Sequence, residues 1–184
     1  MSPEDRATLL DLARRSVAHG LDHGAPLPVD PTGYPEPLRA ELAAFVTLHL
    51  HGALRGCIGH LEAVQPLVRD VAENAYAAAF RDPRFPPLTR QELQGLAVHI
   101  SVLAAPEPMT FASEADLLGQ IRPGIDGLIL TEGRARGTFL PSVWESLPDR
   151  RDFLNHLKRK AGLPADHWSD RVQVARYTTE SFGD

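Results

Sequence analysis

The sequence of 184 residues is poor in several residue types, and each shortage removes a class of function. It holds one cysteine, Cys57, so no internal disulfide can form and stability must come from buried apolar surface. A chain of this length buries roughly 70% of its unfolded surface, which is enough without a disulfide or a structural metal. No apolar run approaches the ~20 residues of a membrane span. Glu4 and Asp5 near the start are unlike the basic opening of a signal peptide. A cytoplasmic protein with no membrane association is the expectation. Lysine is scarce, with 2 against 17 arginines, and 24 acids outnumber 19 bases for a formal charge of -5. Non-specific capture of nucleic acid is driven by clustered cations, so this balance argues against it. The arginine bias comes with abundant alanine and with asparagine only at Asn74 and Asn155, the mark of base composition rather than of many anion sites. Also missing are the G-x-x-x-x-G-K phosphate loop, the G-x-G-x-x-G unit and the G-x-S-x-G elbow.

What is present reads as helices interspersed with hairpins. Ser2-Pro3-Glu4-Asp5 opens a helix whose Leu9, Leu10, Ala13 and Val17 recur at helical spacing, with Gly20 as its stop. Five prolines between Leu21 and Pro37 leave that stretch too punctuated for a regular element. Ala43 to Gly59 predicts a β-hairpin turning near His51-Gly52. A two-residue turn would place Arg55 and Cys57 with Val46, Leu48 and Leu50. A three-residue Leu50-His51-Gly52 loop instead gathers Val46, Leu48, Leu54, Gly56 and Ile58 on one face and Thr47, His49, Arg55 and Cys57 on the other, which separates apolar from polar more cleanly. An amphipathic helix follows over 66–80, then the Arg81–Pro87 loop, and a capping box at Thr89 and Glu92. A strand is predicted over 96–103, a helix from Ser113, and a hairpin divided at Glu132-Gly133. Pro141 to Leu147 forms a helical turn with Trp144 inward, Asp149 caps a helix, and a last strand runs over 172–178. The class is α+β, with a largely antiparallel sheet built from hairpins and flanked by helices.

The chemistry-bearing candidates lie around Cys57. Gly56 and Gly59 leave the backbone bare, as where a ligand or another backbone comes close. A cation beside a thiol favours the thiolate, so Arg55 on the same face would activate Cys57, with His49 as base and Thr47 as a hydrogen-bonding neighbour. The opposing reading treats Cys57 as a small buried hydrophobe. His49, His51, His60 and Cys57 lack any recognised metal-ligand spacing, so no metal and no cofactor are expected. His99 and His156 read as structural. Arg81 and Arg84 around Asp82 would clamp a carboxylate or phosphate, or else staple their loop to the body.

Leu54-Arg55-Gly56-Cys57-Ile58-Gly59, Val71–Ala75, Ala79–Leu88, Gly124–Leu130, Thr138–Trp144 and Lys160–Leu163 together resemble the AMMECR domain family, in order and over nearly the whole chain. The resemblance implies a single domain over 1–184 with two unequal, closely packed lobes and the Cys57 hexapeptide near a cleft. It implies no agreed catalytic role, since no activity is established for the family. As partners it implies a Memo-type protein and a radical S-adenosylmethionine enzyme. The motif positions carried over include Arg55, Gly56, Cys57, Gly59, Glu73, Asn74, Asp82, Arg84, Phe85, Thr138 and Trp144. Three readings follow. The first is an accessory or modifying protein that binds a small molecule or partner peptide, with Cys57 and Arg55 at the floor and Asp82 and Arg84 at the rim. The second is an enzyme using Cys57 as nucleophile. The third, a nucleic-acid-associated factor, has the least support from charge and composition.

Overall fold

The computed structural model describes all residues from Met1 to Asp184. In chain order the elements are α1 (Pro3–His23), α2 (Glu36–Arg39), β1 (Ala43–Leu50), β2 (Ala53–Gly59), α3 (Leu67–Phe80), β3 (Leu96–Leu103), β4 (Glu107–Pro108), α4 (Glu114–Gln120), β5 (Gly127–Glu132), β6 (Ala135–Phe139), α5 (Arg150–Lys160), β7 (Gln173–Tyr177) and β8 (Thr179–Gly183). They form two units, residues 1–103 with 180–184, and residues 104–179. The expected α+β class holds, but the strands form two four-stranded sheets rather than one.

The first unit is built on the sheet β2-β1-β3-β8. Ala44, Val46, Leu48, Val98, Ile100 and Phe182 turn one face of it inward, against the apolar stripes of α1 and α3. The alternation of β1 and β3 is therefore a direct consequence of one-sided burial. Helix α1 begins with a capping box between Ser2 and Asp5 and runs past Gly20 to end at Gly24, whose φ of +66° is the left-handed cap. Gly20 is not a stop because it is a contact point: a Cβ there would lie 2.5 Å from the Phe80 ring and 2.7 Å from that of Tyr76. The proline-rich stretch is also more ordered than expected. Asp30 caps a 3-10 turn at Pro31–Gly33, and Glu36–Arg39 forms one helical turn. Prolines suit both, since a first-turn residue needs no amide hydrogen.

The second unit sets the sheet β4-β7-β5-β6 against α4 and α5 around Leu117, Leu128, Leu130, Trp144, Phe153 and Val174. Trp144 is inward as expected, stacked on Phe153 at 3.7 Å and donating its indole hydrogen to Asp126 O at 2.7 Å. Strand β8, which leaves this unit to rejoin the first sheet, was not foreseen. It holds one buried apolar residue, Phe182, and so carries almost no periodic signal.

Candidate functional site

The β1–β2 hairpin combines features of both registers considered from sequence. Leu50 pairs with Ala53, so the turn is the two residues His51 and Gly52, with φ of 51° and 83°. Two positive φ values mark the type I′ turn that fits strand twist. Farther along, Thr47 faces Cys57, Leu48 faces Gly56 and Val46 faces Ile58, which keeps the grouping by face expected of the three-residue loop but not its register, since that loop would set Thr47 opposite Arg55. A β-bulge between these segments reconciles them: His49 pairs with Leu54, leaving Arg55 as the extra residue. The expected grouping is thereby corrected. Thr47 and Cys57 stand side by side, but Arg55 has left their row.

Cys57 is half-buried, with Sγ 3.2 Å from Thr47 Oγ1. It lies on the edge strand β2, and its outward backbone N–H donates to Asp82 Oδ2 at 2.9 Å. Asp82 itself is buried. It also accepts from the Arg84 amide at 3.1 Å and twice from the Arg84 guanidinium, at 3.0 and 2.8 Å. These Arg84 bonds, helped by the Cys57 and Arg84 amides, hold the Asp82 carboxyl well below the usual carboxylate range despite burial. Arg84 is correspondingly raised, chiefly by Asp82, and Cys57 contributes in the same direction. Arg84, not Arg55, is therefore the cation linked to Cys57, through their shared bonds to Asp82. Arg81 lies over the Tyr76 ring at 5.1 Å, so the two arginines form no clamp. The loop is stapled to β2 instead.

Arg55 is buried, donating to both Glu92 oxygens at 2.8 and 3.2 Å and to Pro86 O at 2.9 Å. Its Nη1 finds no partner. Phe85 lies within 6 Å of both the Arg55 and the Arg84 guanidinium, a packing spacer between two cations. The bare glycines serve the fold. A Cβ on Gly56 would sit 2.0 Å from Ala78 O of α3, and one on Gly59 would sit 2.4 Å from the Phe45 ring. Asn74 is buried and donates to Ala44 O at 3.1 Å, while its neighbour Asp70 accepts from Ala44 N at 2.9 Å. Together they fasten α3 to β1. Glu73 is exposed and bonds only Gln65. Thr138 belongs to the second unit, where its hydroxyl donates to Leu128 O at 2.9 Å and lies 3.2 Å from the Tyr177 hydroxyl. His49 is half-buried, a diagonal neighbour of Cys57 rather than its partner. His99, which the sequence suggests is structural, pairs with Thr47 from β3 and so extends the Cys57–Thr47 row. Its position in the polar half of the β3 alternation is the signal that could have found it. Its ring leans over Gly183, where a Cβ would lie 2.5 Å from Nδ1.

Asp82→Ala is expected to cost about 2 kcal/mol, because it strands the Cys57 amide and the Arg84 contacts together. Urea denaturation of the two proteins at pH 7 checks this. The Asp82 contribution is present above the ordinary aspartate range and is lost as pH falls below it, so the gap should close in acid.

With this geometry in place, the comparisons with known proteins bear on the whole chain. The AMMECR1 family model matches residues 10–182. The chain belongs to the AMMECR1 family. An AMMECR1 relative from Methanothermobacter thermautotrophicus is 40% identical over 188 residues, covering 99% of this chain and 95% of its own length. One from Thermotoga maritima is 37% identical over 172 residues, covering 92% and 94%. The crystal structure of uncharacterized protein PH0010 from Pyrococcus horikoshii is similar at 36% identity and a TM-score of 0.85, over 96% of this chain and 90% of that one. The names of these relatives state no activity. No helix of this AMMECR1 chain is long and apolar enough to cross a membrane.

Proposed function

We propose that this chain is an accessory or modifying component working with a Memo-type protein and a radical S-adenosylmethionine enzyme, and that it binds a partner peptide or small molecule at the sheet face around Cys57. The family resemblance supports the choice of partners. What supports the choice of surface is the half-buried Cys57, fixed through its own amide to the buried Asp82 and so to Arg84. Such anchoring holds a contact surface without spending binding energy on ordering it. A free, accessible thiol also suits a reducing compartment, so a cytoplasmic setting goes with this reading.

The nucleophile reading loses its expected activator, because Arg55 is engaged by Glu92. It keeps one favourable observation, the Arg84 guanidinium held near Cys57 by their shared partner Asp82. A single experiment weighs these alternatives: alkylation of Cys57 by iodoacetamide, followed by mass spectrometry, with and without the two proteins, alongside gel filtration. Co-elution with at least tenfold slower labelling is the expected result. Co-elution with unchanged labelling would move the contact away from Cys57, and separate elution would remove the proposed partnership. Cys57→Ser should leave co-elution intact under the binding reading. Loss of a product formed by the assembled proteins in Cys57→Ser, with co-elution retained, would favour the nucleophile.

A further inference from the structure

A concave surface lies wholly within residues 104–179 and shares no residue with the Cys57 face. It is a cleft of about 720 Å³, within the roughly 300–1,000 Å³ typical of small-molecule sites. One wall is the face of β5 and β7 opposite to Leu128, Leu130 and Val174, which point into the core. Two cross-strand pairs make that wall, apolar Ile129–Ala175 and polar Thr131–Gln173. Phe111 and Trp168 supply an aromatic wall, their ring centroids 5.7 Å apart. The cleft is thus graded from an apolar to a polar end, the form suited to an amphipathic ligand.

Charge decides the ligand class. Asp170 is the one ionisable residue of the lining, which contains no lysine, arginine or histidine. The side chains of Asp170, Thr131 and Gln173 make no hydrogen bond within the protein. The nearby cations do not offset Asp170: Lys158, 5.6 Å from the Trp168 ring centre, is held at 2.8 Å by Glu114, and Arg171 lies outside the lining. The start of α4 borders the cleft at Ser113, but its first turn already carries Glu114 and Asp116, and Asp116 accepts the Ala112 amide at 2.8 Å. An anion would find no donor of positive charge here, and its desolvation would go uncompensated.

We infer that the cleft binds a small organic amine in its ammonium form. Its hydrocarbon or aromatic body lies against Ile129, Ala175, Phe111 and Trp168, and its cation lies at Asp170 within reach of the Thr131 and Gln173 side chains. Aromatic walls with a carboxylate at one end favour such cations both through the ring faces and through charge. The site is independent of the reading at Cys57.

The test is titration of the ¹⁵N-labelled protein with phenethylamine, followed at the two tryptophan indole signals, with phenylacetate as the counterpart of opposite charge. Phenethylamine is expected to shift the Trp168 signal saturably and to leave Trp144, which is hydrogen-bonded to Asp126 in the core. Phenylacetate should give no saturable shift. Asp170→Asn, at an exposed residue without partners, should keep the native spectrum and weaken the amine by about fivefold, the scale of one exposed ion pair. No saturable shift at Trp168, equal binding of phenylacetate, or an unchanged affinity in Asp170→Asn would each overturn the proposal.

Discussion

Gly56→Ala is expected to destabilise the protein by about 3 kcal/mol or more, as overpacking against a backbone does. Its Cβ would stand 2.0 Å from Ala78 O and 2.9 Å from Ala78 C, so relief requires α3 to lift from the sheet. That movement is resisted from both ends of the helix. Near its start, Asp70 and Asn74 hold the two backbone groups of Ala44, and near its end Leu88 N donates to Ala79 O at 2.9 Å. Gly20→Ala is the informative control, because its Cβ would meet the rings of Phe80 and Tyr76, side chains that can turn aside. It should cost about 1 kcal/mol, the lower end of the same range. Urea denaturation followed by circular dichroism separates the two. A Gly56→Ala protein as stable as Gly20→Ala would mean that the helix is free to move and that the glycine serves a ligand instead.

The hairpin that carries Cys57 marks the boundary of what sequence patterns reveal. Val46 and Leu48 alternate with Thr47 and His49 because one face of β1 is packed against helices, and such a pattern is legible residue by residue. The bulge at Arg55 is not, because it inverts the pattern. Leu54 is 42% exposed while Arg55, beside it, is 8% exposed. That inversion is stabilised by Glu92, 37 residues away, so no local spacing announces it. The same holds for Asp82, whose contact with the Cys57 amide spans 25 residues. The prolines and charges of its loop suggested either a staple or a clamp, and only the tertiary contact chooses between them. The family motif is a mixture in the same sense. Gly56, Gly59 and Asn74 are explained by packing and by the fastening of α3 to β1, whereas Cys57 and Thr47 present their side chains to a half-exposed face. Of the motif blocks, only Gly124–Leu130 reaches the amine cleft of the second unit, at Ile129. Its walls come from three separate stretches of chain, and of its aromatic residues only the scarcity of tryptophan draws notice in the sequence.

Glu92→Ala is expected to cost about 3–5 kcal/mol at pH 7, the range seen when one member of a buried ion pair is removed. Arg55 would keep its charge in a site where it is 8% exposed and where Nη1 already lacks a partner, leaving only Pro86 O to receive it. Part of the loss belongs to the capping box, since Glu92 also accepts the Thr89 amide at 2.7 Å. Glu92→Gln separates the two contributions, because glutamine serves in a capping box but brings no countercharge. It should cost about 3 kcal/mol, the scale implied by a carboxyl moved some two pH units from its ordinary value near 4.3. The Arg55 hydrogen bonds, followed by the Thr89 amide, pull Glu92 down to about 2 in the folded chain. The folded state therefore binds fewer protons than the unfolded one between these values, and the stabilisation is complete above the unfolded value and fades as pH falls toward 2. Urea midpoints of the wild type and Glu92→Gln measured from pH 7 to pH 2 should converge in acid. A gap that stayed constant over this range would mean that the Arg55–Glu92 contact acts through shape alone, and Arg55 would then be free to change partners and turn toward Cys57.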